Sequence, residues 1–151
     1  MQANISYVET MADWDLLAEQ LLAYAAGRRK FVLQGEIGAG KTTLVQAFAK
    51  KLNIGEAVTS PTYALINEYR SQPEDGQPPI EVYHLDLYRL KHLSEALELD
   101  IEDLLANDAY CFIEWPELIE PLLTEDSIVI KILVEGDSRR KILFLEPQTH
   151  L

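Results

Sequence analysis

Cysteine is nearly absent from this chain, with one thiol, Cys111, in 151 residues. A single cysteine cannot close an internal disulfide. Within the apolar run Tyr110-Cys111-Phe112-Ile113 it reads as a small buried hydrophobe rather than a reactive group. No apolar stretch approaches the roughly 18 residues that suggest a membrane span. The segment Met1-Gln2-Ala3-Asn4-Ile5 has no basic head leading into an apolar run, as a secretion signal would. The expected compartment is therefore the cytoplasm. Basic residues are also scarce, thirteen against twenty-five acidic ones, for a formal net charge of −12. The excess is one-sided: residues 1–72 hold seven acids and seven bases, whereas residues 73–151 hold eighteen and six. Such a surface repels phosphate backbones and argues against broad nucleic-acid binding. It suits either plain solubility or docking of a basic partner protein.

What is present suits one domain over residues 1–151, since 48% of the residues are hydrophobic. No internal repeat and no low-complexity segment interrupts the chain, and the Pro/Gly-bearing stretch 71–79 reads as a surface loop. Ile5 to Val8 alternates like a short strand. Thr10 with Asp13 predicts a helix start, followed by an apolar stripe of Trp14, Leu17, Leu21 and Leu22 that ends near Gly27. Phe31-Val32-Leu33 resembles a buried parallel strand, and Leu44, Val45, Phe48 and Leu52 mark one side of a helix after it. Strands are predicted over 63–69, 80–85 and 110–113, with a helix over 94–105 carrying Leu97, Ile101, Leu104 and Leu105. Residues 128–134 and 141–145 flank Glu135-Gly136-Asp137-Ser138 as a hairpin. The expectation is an α/β domain of the P-loop NTPase type, with a mostly parallel sheet, flanking helices and a C-terminal antiparallel hairpin.

Between the strand at Phe31 and its following helix lies Gly35-Glu36-Ile37-Gly38-Ala39-Gly40-Lys41-Thr42, the pattern Gly-x4-Gly-Lys-Thr. Glycines let backbone N–H groups turn inward around phosphate oxygens while the next helix aims its positive end at them. Lys41 can reach the β- and γ-phosphates, and the Thr42 hydroxyl can ligate magnesium. Hydrolysis further needs a carboxylate for the metal and a group to orient water. Asp86 closes Val82-Tyr83-His84-Leu85, and Glu114 closes Tyr110 to Ile113, so each ends an apolar run where ligands approach an open α/β sheet. No asparagine is followed by lysine, so the Asn-Lys-x-Asp element of guanine readers is missing and ATP/ADP is the expected nucleotide, with Mg2+.

Four strings in order complete the pattern: the phosphate loop through Thr43, Thr59-Ser60-Pro61-Thr62-Tyr63, His84-Leu85-Asp86-Leu87-Tyr88-Arg89, and Ile113-Glu114-Trp115-Pro116-Glu117. From about residue 5 to residue 145 the chain resembles the TsaE (YjeE) family, P-loop ATPases of tRNA threonylcarbamoyladenosine synthesis. It departs from the family at Asp100, commonly glycine, and at Glu36, usually aspartate. The resemblance implies that Ser60 to Tyr63 and His84 to Arg89 act as two switch segments. It also implies that Gly38, Ala39, Gly40, Lys41, Thr42 and Thr43 hold the phosphates, and that Glu114 assists magnesium beside Thr42. Asp86 would serve the metal or the water, and Lys41, Asp86 and Glu114 form the implied catalytic set. Trp115 would lie near the nucleotide, or else be a core aromatic at a strand end. Thr10 and Met11 could flank the adenine, although Thr10 also reads as a plain helix cap. His84 reads as a partly buried, satisfied histidine rather than a base, Tyr88 and Arg89 as a switch element or a packing pair, and Arg139 and Arg140 as solvated rather than in contact with nucleotide. The implied partners are the proteins TsaB and TsaD, the second of which performs the transfer to adenosine 37 of tRNA.

Two other function classes remain open on the residues alone. A small-molecule kinase could use the Asp-x-Tyr-Arg string to hold an acceptor. However, residues 90–138 contain only Lys91 and Lys131 as bases, which leaves no arginine-rich lid. A nucleotide-gated binding module would keep the phosphate loop and lose turnover.

Overall fold

The computed structural model describes residues 4–61 and 65–145. In chain order the elements are β1 (Asn4–Val8), α1 (Met11–Ala25), β2 (Lys30–Gln34), α2 (Lys41–Lys51), β3 (Ile66–Arg70) and β4 (Glu81–Asp86). There follow α3 (Leu93–Glu98), α4 (Ile101–Ala106), β5 (Tyr110–Glu114), a 3-10 helix (Pro116–Leu122), β6 (Ser127–Val134) and β7 (Arg140–Leu145). One seven-stranded sheet runs in the order β1-β7-β6-β2-β5-β4-β3. Its centre, β6-β2-β5-β4, is parallel, and both edges are antiparallel. The sheet is thus mixed. The terminal hairpin is present as β6–β7, whereas the antiparallel pairing of β3 had no sequence signal.

The central strands are hydrophobic on both faces because both faces are covered. On one side Phe31, Leu33, Phe112 and Ile130 pack against Trp14, Leu17 and Leu21 of α1 and against Leu44 and Phe48 of α2. The rings of Phe31, Phe48 and Phe112 lie 4.6 to 5.4 Å apart, within the range of favourable aromatic pairs. On the other side Val32, Leu85, Cys111 and Ile113 pack against Ala96, Ile101, Leu105 and Ile119. Cys111 is fully buried, and burial pushes its thiol pKa up, against the pull of the nearby Lys30 ammonium.

The helix start at Thr10 is a complete capping box. The Thr10 hydroxyl accepts from Asp13 N at 3.2 Å, and the Asp13 carboxylate accepts from Thr10 N and Glu9 N. Those two amides hold the Asp13 carboxyl below the usual carboxylate range, so the stabilisation is present above pH 3.8 and fades as pH falls through the lowered value. Thr10→Ala is expected to cost about 1 kcal/mol, read as a lower urea midpoint at unchanged slope. An unmoved midpoint would remove the box from the stability of α1.

The single helix expected over 94–105 is instead two helices. The chain breaks at Asp100, whose φ of 56° is left-handed. Leucine periodicity runs through the break because both pieces bury their apolar sides on the same face of the sheet. A glycine would adopt this backbone without strain, and aspartate is among the residues that tolerate it. The strand expected from Tyr63 is observed from Ile66, and residues 62–64 lie outside the described residues.

Candidate nucleotide site

Because β2, β4, β5 and β6 run parallel, their carboxyl ends emerge at one edge of the sheet. β1 is antiparallel to β7, which is antiparallel to β6, so the end of β1 and the start of α1 reach the same edge. This topology gathers sequence-distant groups around the loop 35–40 that joins β2 to α2.

The loop is built on its glycines. Gly38 and Gly40 have φ of 82° and 116°, and a Cβ on Gly40 would sit 2.7 Å from the Trp14 ring of α1. Gly40 caps α2 without any side-chain bond, so the first-turn N–H groups of that helix face the loop. Lys41 is only 5% exposed, and its ammonium donates to Gly35 O and Glu36 O. It also stands 3.8 Å above the Trp115 ring, whose other neighbour is Tyr88 at 4.8 Å between ring centres. Burial pulls the Lys41 pKa down, opposed by the carboxylates of Glu114, Asp86 and Glu117.

Glu114 and Asp86 are register partners on β5 and β4, and Glu114 also pairs with Leu33 of β2. Strand alternation turns both carboxylates to the face carrying α2. Glu114 is 3% exposed, and its Oε2 accepts from Thr42 Oγ1 at 3.2 Å. The same oxygen meets His84 Nε2 at 2.5 Å, and His84 is fully buried. Asp86 is half-buried, and its Oδ1 accepts from Tyr88 N at 3.0 Å. Thr42 and Glu114 supply the hard oxygen donors that suit magnesium, an ion that takes one or two protein ligands and completes its shell with phosphate and water. No group of three or more His, Cys, Asp or Glu among the described residues is arranged to hold a metal ion.

The two stretches read as switches also meet. Ser60 and Pro61 line a cavity of about 150 Å3 together with Asp86, Tyr88 and Arg89. Thr62 and Tyr63 of the first stretch lie outside the described residues. Thr43 is half-buried in the first turn of α2, and Met11 is exposed at the start of α1, three residues before the Trp14 that packs on Gly40.

The family-model comparison matches residues 8–142 to the model described as "Threonylcarbamoyl adenosine biosynthesis protein TsaE". The chain belongs to the TsaE family. Among its relatives, the TsaE protein of Bacillus subtilis is 38% identical over 128 residues, covering 85% of this chain and 76% of that one. The TsaE protein of Aquifex aeolicus is 34% identical over 137 residues, covering 89% and 90%. The crystal structure of YdiB from Bacillus subtilis superposes with a TM-score of 0.63 at 29% identity, over 95% of this chain and 86% of that one. This is an α/β P-loop-like fold, and membership of TsaE places the chain among proteins of tRNA threonylcarbamoyladenosine biosynthesis.

Two residues read differently from their placement. His84 is not partly buried and satisfied: it is wholly enclosed, bonded to Glu114, and its Nδ1 has no partner among the described residues. Its phase with Asp86 was a signal of which face it occupies. Arg140 is not merely solvated, since its guanidinium donates to Ala39 O of the glycine-rich loop at 2.9 Å. Nothing separates it in the sequence from Arg139, which pairs at the surface with Glu9.

Proposed function

We propose that this TsaE-family chain is a magnesium-dependent ATPase, slow in isolation, whose turnover is coupled to the TsaB–TsaD pair that modifies adenosine 37 of tRNA. The observation that carries the reading is the convergence of Lys41, Thr42 and Glu114 at one edge of the sheet, beside a loop whose left-handed positions, Gly38 and Gly40, are both glycine.

The loop amides and the α2 N-terminus would hold the phosphates, with Gly38 to Thr43 as the cradle. Lys41 would offset the charge of the β- and γ-phosphates, exchanging its carbonyl partners for phosphate oxygens. Magnesium, held by Thr42 and Glu114, would supply charge neutralisation of the phosphoryl group. His84 fixes the Glu114 carboxylate, in the way that outer partners orient metal ligands generally. Asp86, half-buried at the end of the neighbouring strand, would orient water or a metal-bound water. Trp115 would flank the nucleotide beside Lys41, and Thr10 and Met11 would lie toward the base.

Coupling is the further expectation. Ser60 and Pro61 border one cavity with Asp86, Tyr88 and Arg89, so a partner that orders these residues changes the population of competent geometry. The acidic half of the chain favours a basic docking surface, and association should slow as salt rises. Phosphate release is expected to be faster with the TsaB–TsaD pair than without it, and the gain to shrink between low and moderate ionic strength. Equal rates, together with no complex in any nucleotide state, would overturn the coupling and leave the kinase class ahead.

A further inference from the structure

Two glycines with left-handed φ, Gly38 and Gly40, flank Ala39, so this is the part of the phosphate loop with the greatest intrinsic freedom. It is nevertheless held from two sides. Trp14 of α1 closes on Gly40, and Ala39 is fully buried. From the other side comes Arg140, the first residue of β7. Its Nε donates to Ala39 O at 2.9 Å and one Nη lies 3.5 Å from Gly38 O. The other Nη donates to Gly136 O at 2.8 Å and Arg139 O at 3.0 Å, with Asp137 O at 3.5 Å. One planar fork therefore joins the β6–β7 turn to the loop, a task for which a lysine's single ammonium lacks the geometry.

We propose that Arg140 is a positioning residue that sets the peptide planes of the phosphate loop, and so makes the β6–β7 turn a working part of the nucleotide site. The inference rests on the phosphate-binding reading of the loop and goes beyond it. In a trans peptide the N–H lies opposite the C=O, so anchoring the Ala39 carbonyl directs the Gly40 N–H away from Arg140. A charged donor on the carbonyl also polarises that amide and strengthens its N–H as a donor. The residue acts through the backbone of 38–40 and needs no contact with nucleotide.

The test compares Arg140→Met, which keeps the stem and loses every donor, with Arg140→Lys, which keeps the charge and loses the fork. ADP affinity is measured by calorimetry, and hydrogen exchange of amides 35–42 is measured in the free protein, with Lys41→Ala as a parallel control. Arg140→Met is expected to weaken ADP binding about tenfold, as loss of one charge-assisted bond would, and to speed exchange in 35–42 while the global melt changes little. Arg140→Lys should recover part of both effects. Weaker binding with unchanged loop exchange would place Arg140 on the nucleotide instead and overturn the positioning role, as would unchanged affinity. Where Arg140→Met does not fold, the same two readouts on Arg140→Lys decide. Absence of ADP binding by the unaltered chain would defeat the phosphate reading itself. The exchange measurement would still judge the brace, since unchanged exchange in the variants would overturn it.

Discussion

Lys41→Ala is expected to bind ATP at least tenfold more weakly than the unaltered chain, on the order of 1.4 kcal/mol in titration calorimetry. Lys41 is 5% exposed, and its ammonium is stacked on Trp115 and bonded to two loop carbonyls, so it is positioned before any phosphate arrives. Preorganisation of that kind lowers the cost of ordering on binding. The effect on folding should differ in sign from the effect on binding. Burial lowers the Lys41 pKa, so the unfolded chain holds the proton more tightly between the lowered value and 10.5, and stability rises with pH through that interval. Below the interval the buried charge opposes folding, and its removal at pH 7 should leave the cooperative melt intact. Equal ATP affinity would sink the phosphate-loop assignment. A lost melt would transfer the residue to the structure of the fold.

Glu114→Gln is expected to slow ATP hydrolysis about a hundredfold, because on the proposed reading a neutral amide would hold less tightly the magnesium that offsets the phosphoryl charge. Glutamine keeps the length and an oxygen for Thr42, so the substitution tests charge rather than packing. His84 would meet an amide in place of the carboxylate oxygen it now shares with Thr42. Weaker magnesium affinity, read as a higher magnesium concentration for half-maximal rate, should accompany the loss. Asp86→Asn should also impair hydrolysis more than folding, since asparagine retains an acceptor for Tyr88 N. A melt lost in step with activity would make either carboxylate structural. Unchanged rates in both variants would remove the pair from the mechanism.

Legibility varied with how local the determining physics was. The capping box of Thr10 and Asp13 and the hairpin turn after Val134 were readable because each is set within a few residues. The break at Asp100 was not, since its leucines keep one helical phase while the backbone between them turns left-handed. Trp115 could be read as a core aromatic or a nucleotide neighbour. Its placement over Lys41, from a backbone with φ 56°, depends on the turn into the 3-10 helix. A bulky residue in that region is strained, a condition held by its surroundings rather than by its own preference.

By itself the sequence determined the glycine-rich loop 35–40, the strands and helices that carry it, and the two carboxylates that end β4 and β5. Contiguous glycines, periodic apolar residues and strand-end acids act through their nearest neighbours. Only the tertiary structure decided that Glu114 meets Thr42 across 72 residues, that His84 closes on the same carboxylate across 30, and that Arg140 braces Ala39 across 101. Each of those contacts follows from strand order and register. In a seven-stranded mixed sheet, order and register are settled by how both faces are buried at once, which no local stretch of chain encodes.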